Sequence, residues 1–154
     1  EMSEEVRIAS ALHDVGKIAI PDDILHKPGR LTDEEMKVMK QHAEKGFRVL
    51  TESESSLLEL AATIARTHHE RFDGTGYPRK LKGKDIPFEG RIAAVADVFD
   101  ALTSKRVYKP AFSVEKANEI LIKERGTGFD PQIVDASLAA PEDIRNIMIV
   151  YADR

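Results

Sequence analysis

LTDEEMKVMKQHAEKGFRVL, residues 31–50, is where the chain declares its secondary structure. Thr32 and Glu35 make a capping-box pair, each side chain satisfying a backbone N–H that a helix start leaves free. Met36, Met39, Ala43, Phe47 and Leu50 then recur at steps of three and four, the period of one helix face. The spacing predicts a helix through the whole stretch, with His42 at the edge of its apolar stripe.

The same period continues on both sides. Upstream, Val6, Ala9 and Leu12 step by three through a segment from about Ser3 to Leu12 that ends in HDVGK, residues 13–17. Between the two, IAIPDDILHKPGR (18–30) is bracketed by Pro21, Pro28 and Gly29 and has room for at most one short helix. Downstream, ESESS (52–56) is a polar break before a helix with Leu57, Ala61, Ile64 and Ala65 inward, which delivers His68 and His69 near its end. The longest irregular stretch is DGTGYPRKLKGKDIP (73–87), rich in cations. RIAAVADVFDALTS (91–104) reads as a strongly apolar helix buried on most sides.

Ser113 caps a further helix carrying Ala117, Ile120 and Leu121, which stops at GTG (126–128). Asp130–Pro131 is an N-cap and first-turn pair for a short helix, and Pro141 opens one more. The run NIMIVYA (146–152) is too short for periodicity to choose between strand and helix. The fold class is all-α.

At 154 residues the chain is most simply one compact domain with its own core. It has no cysteine, which excludes disulfides and thiolate metal sites. A net charge of -4 disfavours a nucleic-acid polymer as partner, though a local cation cluster still suits a small phosphate ligand. No apolar run approaches the roughly 20 residues that span a bilayer, so no membrane segment is expected. A cytoplasmic setting fits these features. The chain starts with Glu before its first Met, and the expectation is a piece excised from a longer protein.

Several polar residues sit where apolar ones are expected. A His–Asp pair closing a helix, such as His13–Asp14, is ordinary by itself, and so is a lone histidine at a core edge such as His42 or His26. His68 and His69 are different, because they continue a buried stripe and an unpaired imidazole is costly to desolvate. Adjacent helical side chains diverge by about 100°, so both meet one site only if the backbone turns just after them. Asp97, between Ala96 and Val98, is the more anomalous of two carboxylates, since Asp100 has Arg91, Lys105 or Arg106 within reach along the helix. Four histidines and two aspartates without a thiolate suit Fe, Mn, Zn, Ni or Co rather than Mg or Ca. Six ligands are too many for one ion that keeps an open position, whereas two ions sharing a carboxylate use them all. Such a pair activates a bridging water and clamps the oxygens of a phosphate ester.

HDVGK, the isolated histidine of KQHAEKG (40–46), HHERFDGTGYP (68–78) and ADVFDALTSKRVYK (96–109) occur in the order and approximate spacing of one family. The chain resembles the HD-GYP domains, a bacterial branch of the HD phosphohydrolases that hydrolyses cyclic di-GMP. The resemblance covers nearly the whole chain and implies an HD-type helical bundle. It implies His13, Asp14, His42, His68, His69 and Asp97 as metal ligands, with Asp14 bridging two or three divalent ions, Fe or Mn foremost. Lys17 is then placed near the scissile phosphate as a catalytic group beside Asp14. Arg106 and Lys109 would hold a phosphate, Asp100 would line the inner substrate pocket, and Tyr77 would contact the nucleotide. The implied reaction is in-line hydrolysis of one phosphodiester to linear pGpG, with GMP as a further product.

An upstream receiver or sensor domain and diguanylate cyclase (GGDEF) proteins are the implied partners. Family members also carry a metal-binding histidine on a helix upstream of the HD pair, and this sequence shows no counterpart. That difference, with the loop cations Arg79, Lys80, Lys82 and Lys84, motivates a second reading: a catalytically impaired signalling module that binds cyclic di-GMP or a partner protein. A hydrolase for another nucleotide, such as a mixed cyclic dinucleotide, is a third. Glu70 either orients a metal ligand or pairs with a loop cation.

Overall fold

The computed structural model describes residues 2–105 and 110–151. Arg106 and Lys109 lie outside the described residues. Among the described residues the protein is all-α, and the only extended pairing is an isolated bridge between Arg125 and Phe129. The α-helices are α1 (Met2–Ser10), α2 (Asp22–Leu25), α3 (Asp33–Lys40), α4 (His42–Leu50), α5 (Ser56–Thr67), α6 (Phe88–Thr103), α7 (Val114–Lys123), α8 (Pro131–Leu138) and α9 (Pro141–Tyr151). Two short 3-10 turns, Val15–Ala19 and Gly83–Asp85, complete the set.

The stretch 31–50 forms two helices rather than one. Its start is as the sequence predicts: Thr32 accepts from the Glu35 N–H at 3.2 Å, and Glu35 accepts from the Thr32 N–H at 2.7 Å. At Gln41 the N–H turns to the Val38 carbonyl three residues back, tightening the last turn, and α4 begins afresh at His42. The predicted stripe divides at that break. Met36 is left 41% exposed, while Ala43 and Leu50 are buried.

The centre of the bundle is α5, with α1, α4 and α6 around it. Ala61, Ala62, Ile64 and Ala65 of α5 pack with Ala9, Leu50 and Ala93 in one core cluster. Small side chains let these helices approach closely, and burying a residue such as Ile64 stabilises by about 1.5–3 kcal/mol. Two glycines set the approach of the functional segments. A Cβ on Gly16 would lie 1.9 Å from the His42 carbonyl oxygen, so the Val15–Ala19 turn rests directly on the backbone of α4. A Cβ on Gly90 would lie 2.0 Å from Thr67 Oγ1, so α6 starts against the end of α5.

A second cluster, Ala94, Val95, Leu121, Phe129 and Val134, joins α6 to the C-terminal helices. Arg91 of α6 fastens it by pairing with buried Asp130, the N-cap of α8. The expectation that 91–104 is buried on most sides holds only for its first half: Ala93, Ala94 and Val95 are buried, Ala96 and Asp100 exposed. Beyond Val95 the helix borders an open, mostly apolar cavity of about 420 Å³ shared with α8 and α9. The ambiguous run is helical as far as Tyr151, the last described residue, and it leaves Ile149 and Val150 exposed. No helix among the described residues is long and apolar enough to cross a membrane.

Candidate metal centre

Four chain segments converge on Asp14. His13 lies in the turn after α1, Asp14 precedes the Val15–Ala19 turn, His42 opens α4, and His68 and His69 follow α5. Asp97 comes from the middle of α6, not from a helix end. Asp14 Oδ1 faces His42 Nε2 at 3.4 Å and His68 Nε2 at 3.7 Å, and Oδ2 faces His13 Nε2 at 3.4 Å. His13 Nε2 is also 3.5 Å from Asp97 Oδ1, so His13 stands between two carboxylates. One donor atom each from Asp14, His42, His68 and His69 fits within a mutual spread of 4.8 Å.

The backbone sets which ring nitrogen each histidine offers. His13 Nδ1 meets the Ser10 carbonyl at 2.7 Å, His42 Nδ1 the Met39 carbonyl at 2.8 Å, and His68 Nδ1 the Ala65 carbonyl at 3.0 Å. A carbonyl only accepts, so each Nδ1 donates, and Nε2 is the nitrogen turned towards Asp14. In a metal site this is the arrangement that orients an imidazole and raises its basicity.

What remains is a group of buried polar atoms without hydrogen-bond partners: Asp14 Oδ1, His42 Nε2 and His68 Nε2. Each such atom costs about 1–3 kcal/mol when left unsatisfied, and here three of them point at one another. A cation in their midst would satisfy all three. Imidazole nitrogen and carboxylate oxygen are the donors a divalent transition metal takes.

The protonation states suit the same occupant. Burial, reinforced by His68 and His42, depresses His69 to about 3, and burial also lowers His42, so both rings are neutral near pH 7. Burial works against ionisation of Asp14, yet His13, His68 and Lys17 together hold it far below the usual carboxylate range. The neighbouring His13 likewise lowers Asp97. His13 itself is raised to about 10 by the Asp14 and Asp97 carboxylates. A proton on its Nε2 supplies the positive charge that a metal ion would bring to the same place.

Around this floor stands a rim. Lys17 Nζ reaches Asp14 Oδ2 at 2.5 Å with its side chain 41% exposed. The Tyr77 ring stacks on His69 with centroids 4.8 Å apart and planes at 22°, and its N–H donates to the His69 carbonyl. Lys40 Nζ lies 5.1 Å from the Tyr77 ring centre, a neighbour that no sequence motif signals. Glu70 takes neither of its expected roles: its carboxylate accepts from the backbone N–H groups of Arg79 and Leu81. Asp97 pairs with His13, and Arg91 is committed to Asp130 39 residues away. Asp100 is exposed, accepts from Ser104 Oγ at 3.1 Å, and lines one cavity together with His13 and Asp97.

Sequence reasoning missed the carbonyls of Ser10, Met39 and Ala65, which orient the rings. Backbone groups leave no residue signature.

Residues 1–133 match the model of the HD domain family. The chain belongs to that family. HD domains bind divalent metals, which agrees with the donor set around Asp14. The chain is 51% identical over 150 residues to a cyclic di-GMP phosphodiesterase of Vibrio cholerae, covering 94% of this chain and 30% of that protein. It is 52% identical over 147 residues to the cyclic di-GMP phosphodiesterase response regulator RpfG of Xanthomonas campestris, covering 94% and 39%. To the 3'3'-cGAMP-specific phosphodiesterase 2 of Vibrio cholerae it is 49% identical over 136 residues, covering 88% and 26%. The HD domain thus spans well under half the length of these relatives. The HD-GYP resemblance agrees with both the family match and these relatives. A solved structure of the V. cholerae cyclic GMP-AMP specific phosphodiesterase V-cGAP3 shares the fold, with a TM-score of 0.68 at 20% identity over 97% of this chain and 40% of that one.

Proposed function

We propose that this HD domain is a metal-dependent phosphodiesterase that opens cyclic di-GMP to linear pGpG, with GMP as a further product. The observation that carries the reading is the convergence of three buried, unsatisfied donor atoms from Asp14, His42 and His68. His13, Asp14, His42, His68, His69 and Asp97 are the proposed ligands of two or three divalent ions, Fe or Mn foremost, with Asp14 as the bridge. When bound, the ions supply an activated water and stabilise the leaving 3′ oxygen.

The protein's own groups do the rest. Hydrogen bonds from Nδ1 to backbone carbonyls hold the His13, His42 and His68 rings so that no reorganisation accompanies the reaction. Lys17 keeps an exposed ammonium beside Asp14, where it meets the charge that grows on the phosphoryl oxygens. Tyr77 is a phenol at neutral pH, and burial moves its ionisation still further from that range, so it offers the nucleotide both a ring face and an O–H donor. Arg106 and Lys109 are the proposed phosphate clamp, and Asp100 the acceptor in the inner pocket.

The setting of the proposal is bacterial second-messenger signalling in the cytoplasm, with a receiver or sensor domain and GGDEF proteins as partners. The retained donor set favours an enzyme over a binding module, since a scaffold has no use for unsatisfied buried ligands. A second substrate, the mixed cyclic GMP-AMP dinucleotide, is favoured by the relative at 49% identity that carries that specificity in its name. Metal analysis followed by product analysis tests the reading. Protein loaded with Mn or Fe should hold about two ions and convert cyclic di-GMP to pGpG, and chelation should stop it. A loaded protein that leaves both dinucleotides intact overturns it.

A further inference from the structure

We infer that Glu70 is a positioning residue whose carboxylate fastens the 71–81 loop and so holds Tyr77 over His69. The inference rests on the proposed reaction only where Tyr77 is said to meet the substrate.

Glu70 is 3% exposed. A carboxylate at that depth needs compensation, and among the described residues no cationic side chain supplies it. Its two oxygens instead accept from main-chain donors, Oε1 from the Arg79 N–H at 2.7 Å and Oε2 from the Leu81 N–H at 3.1 Å. In an extended segment the N–H groups of alternate residues point to the same side but stand about 6–7 Å apart, too far for the two oxygens of one carboxylate. Here the residue between the two, Lys80, has φ 55, the one positive value outside glycine among the described residues. A left-handed residue folds the backbone into a concavity that presents its N–H groups to an anion. Lysine has no intrinsic preference for that conformation, so the buried carboxylate and the strained residue account for each other.

The near end of the loop is fixed differently. A Cβ on Gly76 would sit 2.3 Å from the Arg71 nitrogen and 2.6 Å from the His69 oxygen, so the loop lies on the backbone of the segment that carries His69. Tyr77 is between the two anchors, stacked on the His69 ring at 4.8 Å. Two N–H donors call for a group with two acceptors and no donor, and among side chains only a carboxylate provides it. Glutamine would satisfy one N–H and turn its own N–H₂ on the other.

The experiment compares wild type, Glu70→Gln and Glu70→Ala in the metal-loaded protein. Amide hydrogen exchange is read at Arg79 and Leu81, with the amide of buried Leu121 as a check on the global fold. Kinetics with cyclic di-GMP and metal content are measured on the same samples. Glu70→Ala should speed exchange at Arg79 and Leu81 at least tenfold with Leu121 unchanged, and Glu70→Gln should fall between. With metal content constant, KM should rise about tenfold while kcat changes less than threefold. Unchanged exchange at Arg79 and Leu81 in a folded Ala variant overturns the clamp. Faster exchange with an unchanged KM overturns the link to Tyr77. Wild-type protein without turnover counts against the proposed function alone, and the exchange result then still decides the clamp.

Discussion

Asp130 is a buried carboxylate and Asp14 a half-buried one, and they differ most in how their oxygens are satisfied. Asp130 is 3% exposed, its Oδ2 is taken by Arg91 and its Oδ1 accepts from the Gln132 N–H at 2.9 Å. Arg91 in turn spends its Nε on the Ile86 carbonyl at 2.9 Å. Every partner there is itself satisfied. Around Asp14, Oδ1 and two histidine nitrogens lack partners, although the site is packed tightly enough to bury them. Closed networks of buried charge hold a fold together, and an open one is kept for something that binds.

Breaking the open network should have the largest effect on function and a small one on folding. Asp14→Ala should reduce metal content to background and abolish hydrolysis of cyclic dinucleotides, measured by metal analysis and product chromatography. The metal-free variant should still fold, melting below the metal-free wild type only by what the Oδ2 pairings to Lys17 and His13 contribute, because Asp14 Oδ1 accepts no hydrogen bond. A metal-free Asp14→Ala protein that fails to fold removes the distinction between the two carboxylates.

Breaking the closed network should do the reverse. Arg91→Ala leaves Asp130 buried without its counter-ion, a loss of about 3–5 kcal/mol, or about 10 °C in melting temperature for a domain of this size. Metal content and turnover per folded molecule should be unchanged at temperatures where the variant is folded. Calorimetry and activity on the same preparation check both halves.

Gly16→Ala lies between these cases, because Gly16 links the fold to the site. The added Cβ meets the His42 carbonyl oxygen and the Gly46 nitrogen, both backbone atoms that cannot swing aside. Separation of the turn from α4 should cost about 1–3 kcal/mol. It should also weaken metal binding, because Asp14 moves away from His42. A variant that loses stability but binds metal as tightly as wild type would show that the Asp14–His42 distance is not set here.

These contrasts also mark how much the sequence could say. The helical class, the capping box at Thr32 and the gathering of His68 and His69 followed from spacing, because helix periodicity and turn chemistry are local. The break at Gln41 did not, since a helix that tightens by one backbone bond keeps the same apolar residues in the same order. Arg91 was a candidate partner for the carboxylates of its own helix, whereas folding gives it to Asp130. Glu70 had two plausible side-chain roles and uses backbone N–H groups for neither. Pairings across tens of residues, and pairings with backbone, leave no periodic trace.

The mildest perturbation is one of pH, and it separates the proton from the metal at His13. In the metal-free protein the Asp14 and Asp97 carboxylates raise His13 from 6.5 to about 10. A raised value in the folded state means the folded protein binds the proton more tightly than the unfolded chain does. The resulting stabilisation is therefore complete below about pH 6.5 and is lost as the pH rises through about 10. Melting temperature should fall across that window in metal-free protein. Asp97→Asn removes one of the two carboxylates that hold the proton and should flatten the fall. If His13 is a ligand as proposed, loading with Mn should flatten it too, because its Nε2 would then be held by the ion and would no longer titrate there. An alkaline slope that is the same in metal-free, metal-loaded and Asp97→Asn proteins would place its origin elsewhere and take His13 out of the metal centre.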